Sequence, residues 1–309
     1  MKKYLLMEVC IIMMSMTASA LSINKALLDH NGTVTLYDGL QEAINASSDG
    51  DVIYLTLGTF KGPFTVSKKI TIRGTGETSI IDGDVNISIP GSPKLNSPVL
   101  EALSVSGTVN VGAQVDDMII RKCKIANFTI GAQIDGAVLD RCYITNTLTL
   151  SSYIKGMTIV NSKLQQVRAN SGATQNTTFV NCNLSTIYPN YFSATIINSV
   201  IRYCSTINSS VLINSILNSY DVSIGSSSVA QNCYWMYNSN LIDSSCECAY
   251  DTSFLQSKGY LGTDGTVVGI YGGDTPFTLE PSVPKVTSSS LELDLEKKEL
   301  NVKLTVSPQ

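Results

Sequence analysis

Between Met118 and Trp235 two columns of apolar residues recur at a fixed separation of five positions. The first reads Ile120, Leu139, Ile159, Phe179, Ile196, Leu212 and Ala230, and the second Ile125, Ile144, Leu164, Leu184, Ile201, Leu217 and Trp235. Between them stands a small anchor residue: Cys123, Cys142, Ser162, Cys182, Ser199, Ser215 and Cys233, at steps of 19, 20, 20, 17, 16 and 18 residues. Five is odd, so an unbroken strand cannot hold both columns on one face, and a bend must lie between them. The residue before each anchor marks that bend, as Lys122, Arg141, then Asn161, Asn181, Asn198, Asn214 and Asn232. Asparagine tolerates left-handed backbone angles, and identical amides on successive turns can hydrogen-bond along a stack.

A repeat of this length cannot bury its apolar face alone, so its copies must stack as a solenoid. Leucine-rich repeats share the period but need several fixed leucines and a helix-like return. The connecting segments here, such as 205–210 and 223–228, are instead short and rich in Ser, Thr and Asn, which suits turns and short strands. The pattern therefore predicts an all-β parallel β-helix, with about ten coils from 52 to 241 if each takes roughly 18 residues.

The flanks read as an entrance and an exit. Leu40, Ala43 and Ile44 at helical spacing, with Glu42, predict a short amphipathic helix capped by Asp38. A strand at 51–57 and alternation through Phe64, Val66, Ile70 and Ile72 open the coils. Pro90, Pro93 and Pro98 break the register and predict a protruding loop at 88–97. Past Asp243 the phrase stops. Alternation at 291–295 and 300–306 around Lys297-Lys298 then predicts a C-terminal β-hairpin, folded over the last coil or standing as an appendage. The resulting divisions are a signal peptide at 1–20, an N-terminal segment with the helix at 21–50, the β-helix at 51–245, a closing segment at 246–280 and the tail at 281–309.

Lys2 and Lys3, an apolar stretch from Val9 to Met16, and Ala18-Ser19-Ala20 fit a secretory signal. No later segment offers about 18 uninterrupted apolar residues, so no transmembrane span is expected after its removal. The expected location is secreted, periplasmic or cell-surface. The net charge of −4 and the lack of a basic run argue against nucleic acid as a partner. In the anchor column Cys123, Cys142, Cys182 and Cys233 read as small buried apolar groups interchangeable with Ser. Only Cys123 and Cys142 fall on adjacent coils, at a spacing that suits a disulfide although parallel side chains make one awkward. Cys246-x-Cys248 lies outside the repeat; pairing with Cys204 or Cys233 stays open, and no metal site is expected.

The run Gln41-Glu42-Ala43-Ile44, Gly50-Asp51-Val52-Ile53-Tyr54-Leu55, Gly58-Thr59-Phe60 and Lys69-Ile70-Thr71-Ile72-Arg73-Gly74 resembles the opening of right-handed parallel β-helix proteins of the pectin-lyase-like superfamily. The coil phrase resembles that family's consensus. The segment from Gly269 to Phe277 is similar to the end of many secreted bacterial members of unassigned activity. The resemblance implies a right-handed rod whose open N-terminal end is plugged by a helix. It also brings in polysaccharide lyases and glycoside hydrolases, whose sites are not matched here. His30, the single histidine, stands ahead of the first coil in no Gly-His-Gly, and no stretch carries the lyases' basic, proline-containing arginine motif.

Three candidate sites remain. Asp116, Asp135 and Lys155 form a column seven residues before the anchor that could bind a cation or abstract a proton beside a uronic acid carboxylate. The next column, Asp117, Gly136 and Gly156, also reads them as Asp-Gly-like turns. Lys124, Tyr143, Lys163 and Asn183, one after the anchor, would give a flat face able to stack on an acidic glycan. Tyr188, Tyr191 and Phe192 offer a second stacking surface, and Asp82 with Asp84 read as a turn. The leading expectation is a non-catalytic bacterial rod, secreted or envelope-associated, with a structural or glycan-binding role. It needs no cofactor and would meet extracellular polysaccharide or a host or cell-surface protein. The alternatives are a polysaccharide lyase or glycoside hydrolase, with calcium as cofactor in the lyase case, and an adhesin.

Overall fold

The computed structural model describes residues 24–91, 93–95, 97–150, 154–170, 177–188, 193–218, 220–236, 252–278, 285–294 and 299–307. The chain is an all-β parallel β-solenoid of about eight turns. One wall carries the strands before the anchors, from Val52–Leu55 to Val229–Gln231, and a second wall those after, from Gly58–Lys61 to Tyr234–Met236. A narrow third strip pairs Ile134–Asp135 with Ile154–Lys155 and bridges Lys94 to Asp116. The turn count is slightly below the expected ten because early coils are long. From Ile72 to its partner Leu100 the chain advances 28 residues. That stretch holds the three prolines, yet it protrudes less than expected: Ile89 and Leu95 are buried, and the Leu95 amide donates to the Asp116 carbonyl at 3.0 Å.

Both apolar columns point inward and form one core with Phe128 and Phe179, all but the last coil's Ala230 and Trp235 being buried. The bend that lets them do so is a left-handed residue. Lys122, Arg141, Asn161, Asn181, Asn198, Asn214 and Asn232 have φ between 46° and 54°. Ala102, with φ of 52° and Leu100, Leu103 and Val105 buried around it, is an eighth copy one coil upstream, hidden from the sequence pattern because its anchor is Leu.

The anchors do more than fill space. Ser162, Ser199 and Ser215 donate through Oγ to the carbonyls of Val160, Ile197 and Ile213 at 2.7, 2.7 and 2.9 Å, closing the bend from within. The same oxygens accept the amides of Cys142, Cys182 and Ser199 from the coil before at 3.0, 3.0 and 3.2 Å. Cys142 and Cys182 repeat the contact more weakly, Sγ to carbonyl at 3.3–3.5 Å. Ser and Cys are thus interchangeable as short donors as well as small buried groups: Cys123, Cys142 and Cys182 lie in the core as expected, while Cys233 in the last coil is only partly buried. Burial pushes the Cys142 and Cys182 thiols up to about 12, and Cys123, Cys142, Cys182, Cys204 and Cys233 are all free, so the pairing that the Cys123–Cys142 spacing would permit is not made. Cys246 and Cys248 lie outside the described residues.

Ahead of the first coil, strands Ala26–His30 and Thr33–Tyr37 form an antiparallel hairpin added to the edge of the first wall through Val52–Leu55. Asn31 and Gly32 take positive φ in its two-residue turn, a signal the sequence reading passed over. A seven-residue helix, Leu40–Ala46, follows and buries Leu40, Ala43 and Ile44. Asp38 does not cap it. Gly39 occupies the N-cap with no side-chain bond, while Asp38 pairs with Lys25. His30 Nδ1 lies 2.8 Å from the buried carboxylate of Asp51. The tail from Thr278 to Gln309 is a separate unit in which Lys285–Asp294 and Glu299–Ser307 pair antiparallel. Among the described residues no helix is long and apolar enough to cross a membrane.

Candidate functional site

The acidic column comes together, but as a turn. The Asp135 amide donates to Asp116 Oδ1 at 3.2 Å, tying one coil's turn to the next. Lys155 Nζ lies 3.5 Å from Asp135 Oδ2 and Lys94 Nζ 2.8 Å from Asp117 Oδ2, so each lysine of the strip already faces a carboxylate. That carboxylate raises the Lys94 pKa. Asp117, Gly136 and Gly156 all have positive φ, and a Cβ at Gly136 would fall 2.1 Å from Asp117 Oδ1. Sequence and geometry agree that this strip is turn chemistry first. Among the described residues no group of three His, Cys, Asp or Glu is arranged to hold a metal ion. Asp82 accepts from Ser106 Oγ and Lys61, which hold its carboxyl below the ordinary value, and Asp84 accepts the Thr108 amide at 2.7 Å.

The second-wall column is in register, with Lys124 beside Tyr143, Tyr143 beside Lys163 and Lys163 beside Asn183. Only its first half faces solvent as expected. Lys163 is 8% exposed and Asn183 fully buried, and Lys163 Nζ lies 4.8 Å from the Tyr143 ring centroid. The next residues, Val200 and Ile216, are buried too. The physical reason is the closing segment, which packs along this corner: a Cβ at Gly269 would lie 2.7 Å from Ile216 and 3.5 Å from Val200, and the Tyr260 ring packs 4.7 Å from Tyr234.

The same segment takes up the asparagine column. Asn181 Nδ2 donates to the carbonyls of Ile270 and Gly272 at 2.9 and 2.7 Å, and Asn214 Oδ1 accepts the Thr263 amide at 3.0 Å. Among the described residues no side-chain hydrogen bond joins one asparagine of the column to the next, so the expected amide stack is not what the ladder builds. Asn198 meets the segment as well, since a Cβ at Gly273 would fall 2.4 Å from its Nδ2, and Leu255, Val268, Ile270 and Phe277 bury this strap.

What stays open is the Lys124 end. An exposed groove of about 360 Å³ runs between Glu77, Ser104, Ser106, Lys124, Ala126 and Thr145. Its charges are matched, Lys124 Nζ lying 2.7 Å from Glu77 Oε2. Farther along the same wall Thr129, Thr149, Arg168 and Tyr188 stand in register, with the Arg168 guanidinium 4.0 Å over the Tyr188 ring. Arg168 was not among the residues singled out by sequence; its coil position would have found it. Tyr191 and Phe192 lie outside the described residues.

The first wall carries an outward charge ladder, Arg73, Glu101, Arg121 and Asp140 in register. Burial pushes the Glu101 carboxyl up, but Arg121 and Arg73, at 2.7 and 2.6 Å, outweigh it and leave it below the ordinary value. A depressed acid contributes stability above its unfolded pKa, about 4.3, and loses it as pH falls through the lower folded value. Urea unfolding at stepped pH is expected to show a steeper acid limb for the native chain than for Glu101→Gln; superimposable limbs would mean the ladder adds nothing. Comparisons with protein-family models, curated proteins and solved structures return no match.

Proposed function

We propose that this chain is a non-catalytic, secreted or envelope-associated bacterial β-helix of the right-handed, pectin-lyase-like kind, whose open second-wall face holds acidic polysaccharide. The observation that carries this reading is the contrast between the two candidate strips. Asp116, Asp135 and Lys155 are engaged in turn contacts on an exposed strip, whereas Thr129, Thr149, Arg168 and Tyr188 repeat along the second wall at the strand spacing of about 4.8 Å, beside the groove where Lys124 pairs with Glu77. Saccharides suit such a wall, since aromatic and guanidinium planes stack on sugar rings and hydroxyl rows replace their hydration.

The test is affinity electrophoresis of the secreted chain in gels of acidic and neutral polysaccharide, with calcium, while new unsaturated or reducing ends are followed. Retardation by acidic polymer without new ends is expected, and it should weaken about two- to fivefold in Lys124→Ala and in Arg168→Ala, each removing an exposed cation. New ends that vanish in Lys155→Ala and Asp135→Ala would replace this reading with a lyase or hydrolase. Silence in both assays would leave a protein-facing or purely structural rod.

A further inference from the structure

The first wall ends on an open strand. Thr33–Tyr37 is the outermost strand of its sheet, and among the described residues nothing pairs with its far edge. Such edges are normally blunted by lysine, proline or a bulge. This one has none of these: Thr33-Val34-Thr35-Leu36-Tyr37 is uncharged, its pairing with Ala26–His30 is regular over five residues, and Val34 and Leu36 are 49% and 53% exposed.

Its hydrogen-bonding parity follows from the turn. In a two-residue hairpin the residues flanking the loop, His30 and Thr33, exchange amide and carbonyl bonds, as do alternate pairs beyond them. Thr33, Thr35 and Tyr37 therefore spend their main-chain groups on the hairpin. The amides and carbonyls of Val34 and Leu36 point to the free edge.

That parity is self-complementary. If a second copy approaches antiparallel about a two-fold axis at Thr35, Val34 of one chain meets Leu36 of the other, and both have their main-chain groups directed outward. The two symmetric pairs exchange amide and carbonyl bonds on either side of a Thr35–Thr35 pair that needs none. The same operation sets Val34 and Leu36 side by side on the outer face, withdrawing the exposed aliphatics from water, and no like charges meet. A one-residue slip would instead oppose residues whose main-chain groups are already used.

We infer that Thr33–Tyr37 is a homodimerisation edge, joining two copies of this chain head to head through antiparallel pairing centred on Thr35, so that the two first walls become one sheet. A two-fold, isologous contact closes on itself and leaves no further edge at that end.

Sedimentation velocity on the secreted chain over a wide concentration range should show a reversible monomer–dimer equilibrium. Leu36→Pro removes an amide that points to the free edge and is compatible with an edge strand, so it should weaken dimerisation at least about tenfold with an unchanged circular dichroism spectrum. The register is tested separately. Thr35→Cys places two thiols across a non-bonded antiparallel pair, with Cα atoms about 4.5 Å apart and within disulfide reach. Mild oxidation should give a covalent dimer for Thr35→Cys and little for Thr33→Cys or the unsubstituted chain. A chain monomeric throughout, a dimer indifferent to Leu36→Pro, or equal cross-linking at 33 and 35 would each overturn the inference, as would an edge that takes up a foreign strand while the chain itself stays monomeric.

Discussion

Phe179→Ala is expected to destabilise the solenoid by about 3–5 kcal/mol, the range for removing a fully buried phenylalanine. Phe179 is 0% exposed and sits in register between Ile159 and Ile196 of the neighbouring coils. The coil cannot shrink to fill the space. Its strand bonds to both neighbours, and its bend is fastened by the Cys182 amide to Ser199 on the next coil, at 3.0 Å. A repeat that touches only the coils beside it has no other partner to recruit. The outward neighbour Thr178 is the control, since Thr178→Ala should stay within about 0.5 kcal/mol as a surface change. Urea midpoints at constant slope give both values; a loss under about 1 kcal/mol at Phe179 would mean that the column repacks.

Asn181→Ala should cost about 2–5 kcal/mol and act chiefly on the strap. The buried carbonyl of Gly272 loses its donor, at a cost of roughly 1–3 kcal/mol, while that of Ile270 keeps the Phe277 amide at 2.7 Å. Alanine at φ of 51° adds about 1–2 kcal/mol of backbone strain. Asn181→Gly separates the two causes, because glycine takes that φ freely and lacks only the amide. Hydrogen exchange should show lost protection at Val268 and Phe277, whose amides donate to the carbonyls of Tyr260 and Ile270, in both variants while Phe179 and Leu184 keep theirs. Protection retained in Asn181→Ala would show that the strap is held by its apolar residues alone. The reverse change is informative at Lys122, which adopts φ of 54° without an amide's tolerance for it. Lys122→Gly is expected to be neutral or slightly stabilising.

The candidate sites were legible unevenly, and for one reason. Columns could be read from spacing because a solenoid places equivalent positions side by side, so Lys124–Tyr143–Lys163–Asn183 and Asp116–Asp135–Lys155 are true neighbours. Spacing does not say whether a column is covered. Lys163 and Asn183 were read as solvent-facing and are buried. Asp38 was one residue too early to cap its helix, since Gly39 holds that position. Ala102 was overlooked because its backbone does what asparagine does without asparagine's signature.

By itself the sequence determined the architecture of this protein: the odd spacing of the inward columns demands a left-handed residue in every coil, and that local demand recurs until it forces stacking. The tertiary structure decided what the ladder is for. Asn181, Asn198 and Asn214 face a strap that returns from as much as some ninety residues away, Asn181 to Ile270. Contacts of that range are set by where the chain's end comes to lie on the finished wall, and no local period encodes it. The same holds for the open strand at Thr33–Tyr37, whose hairpin is written in Asn31-Gly32 but whose free edge exists only once the first wall has been built beneath it.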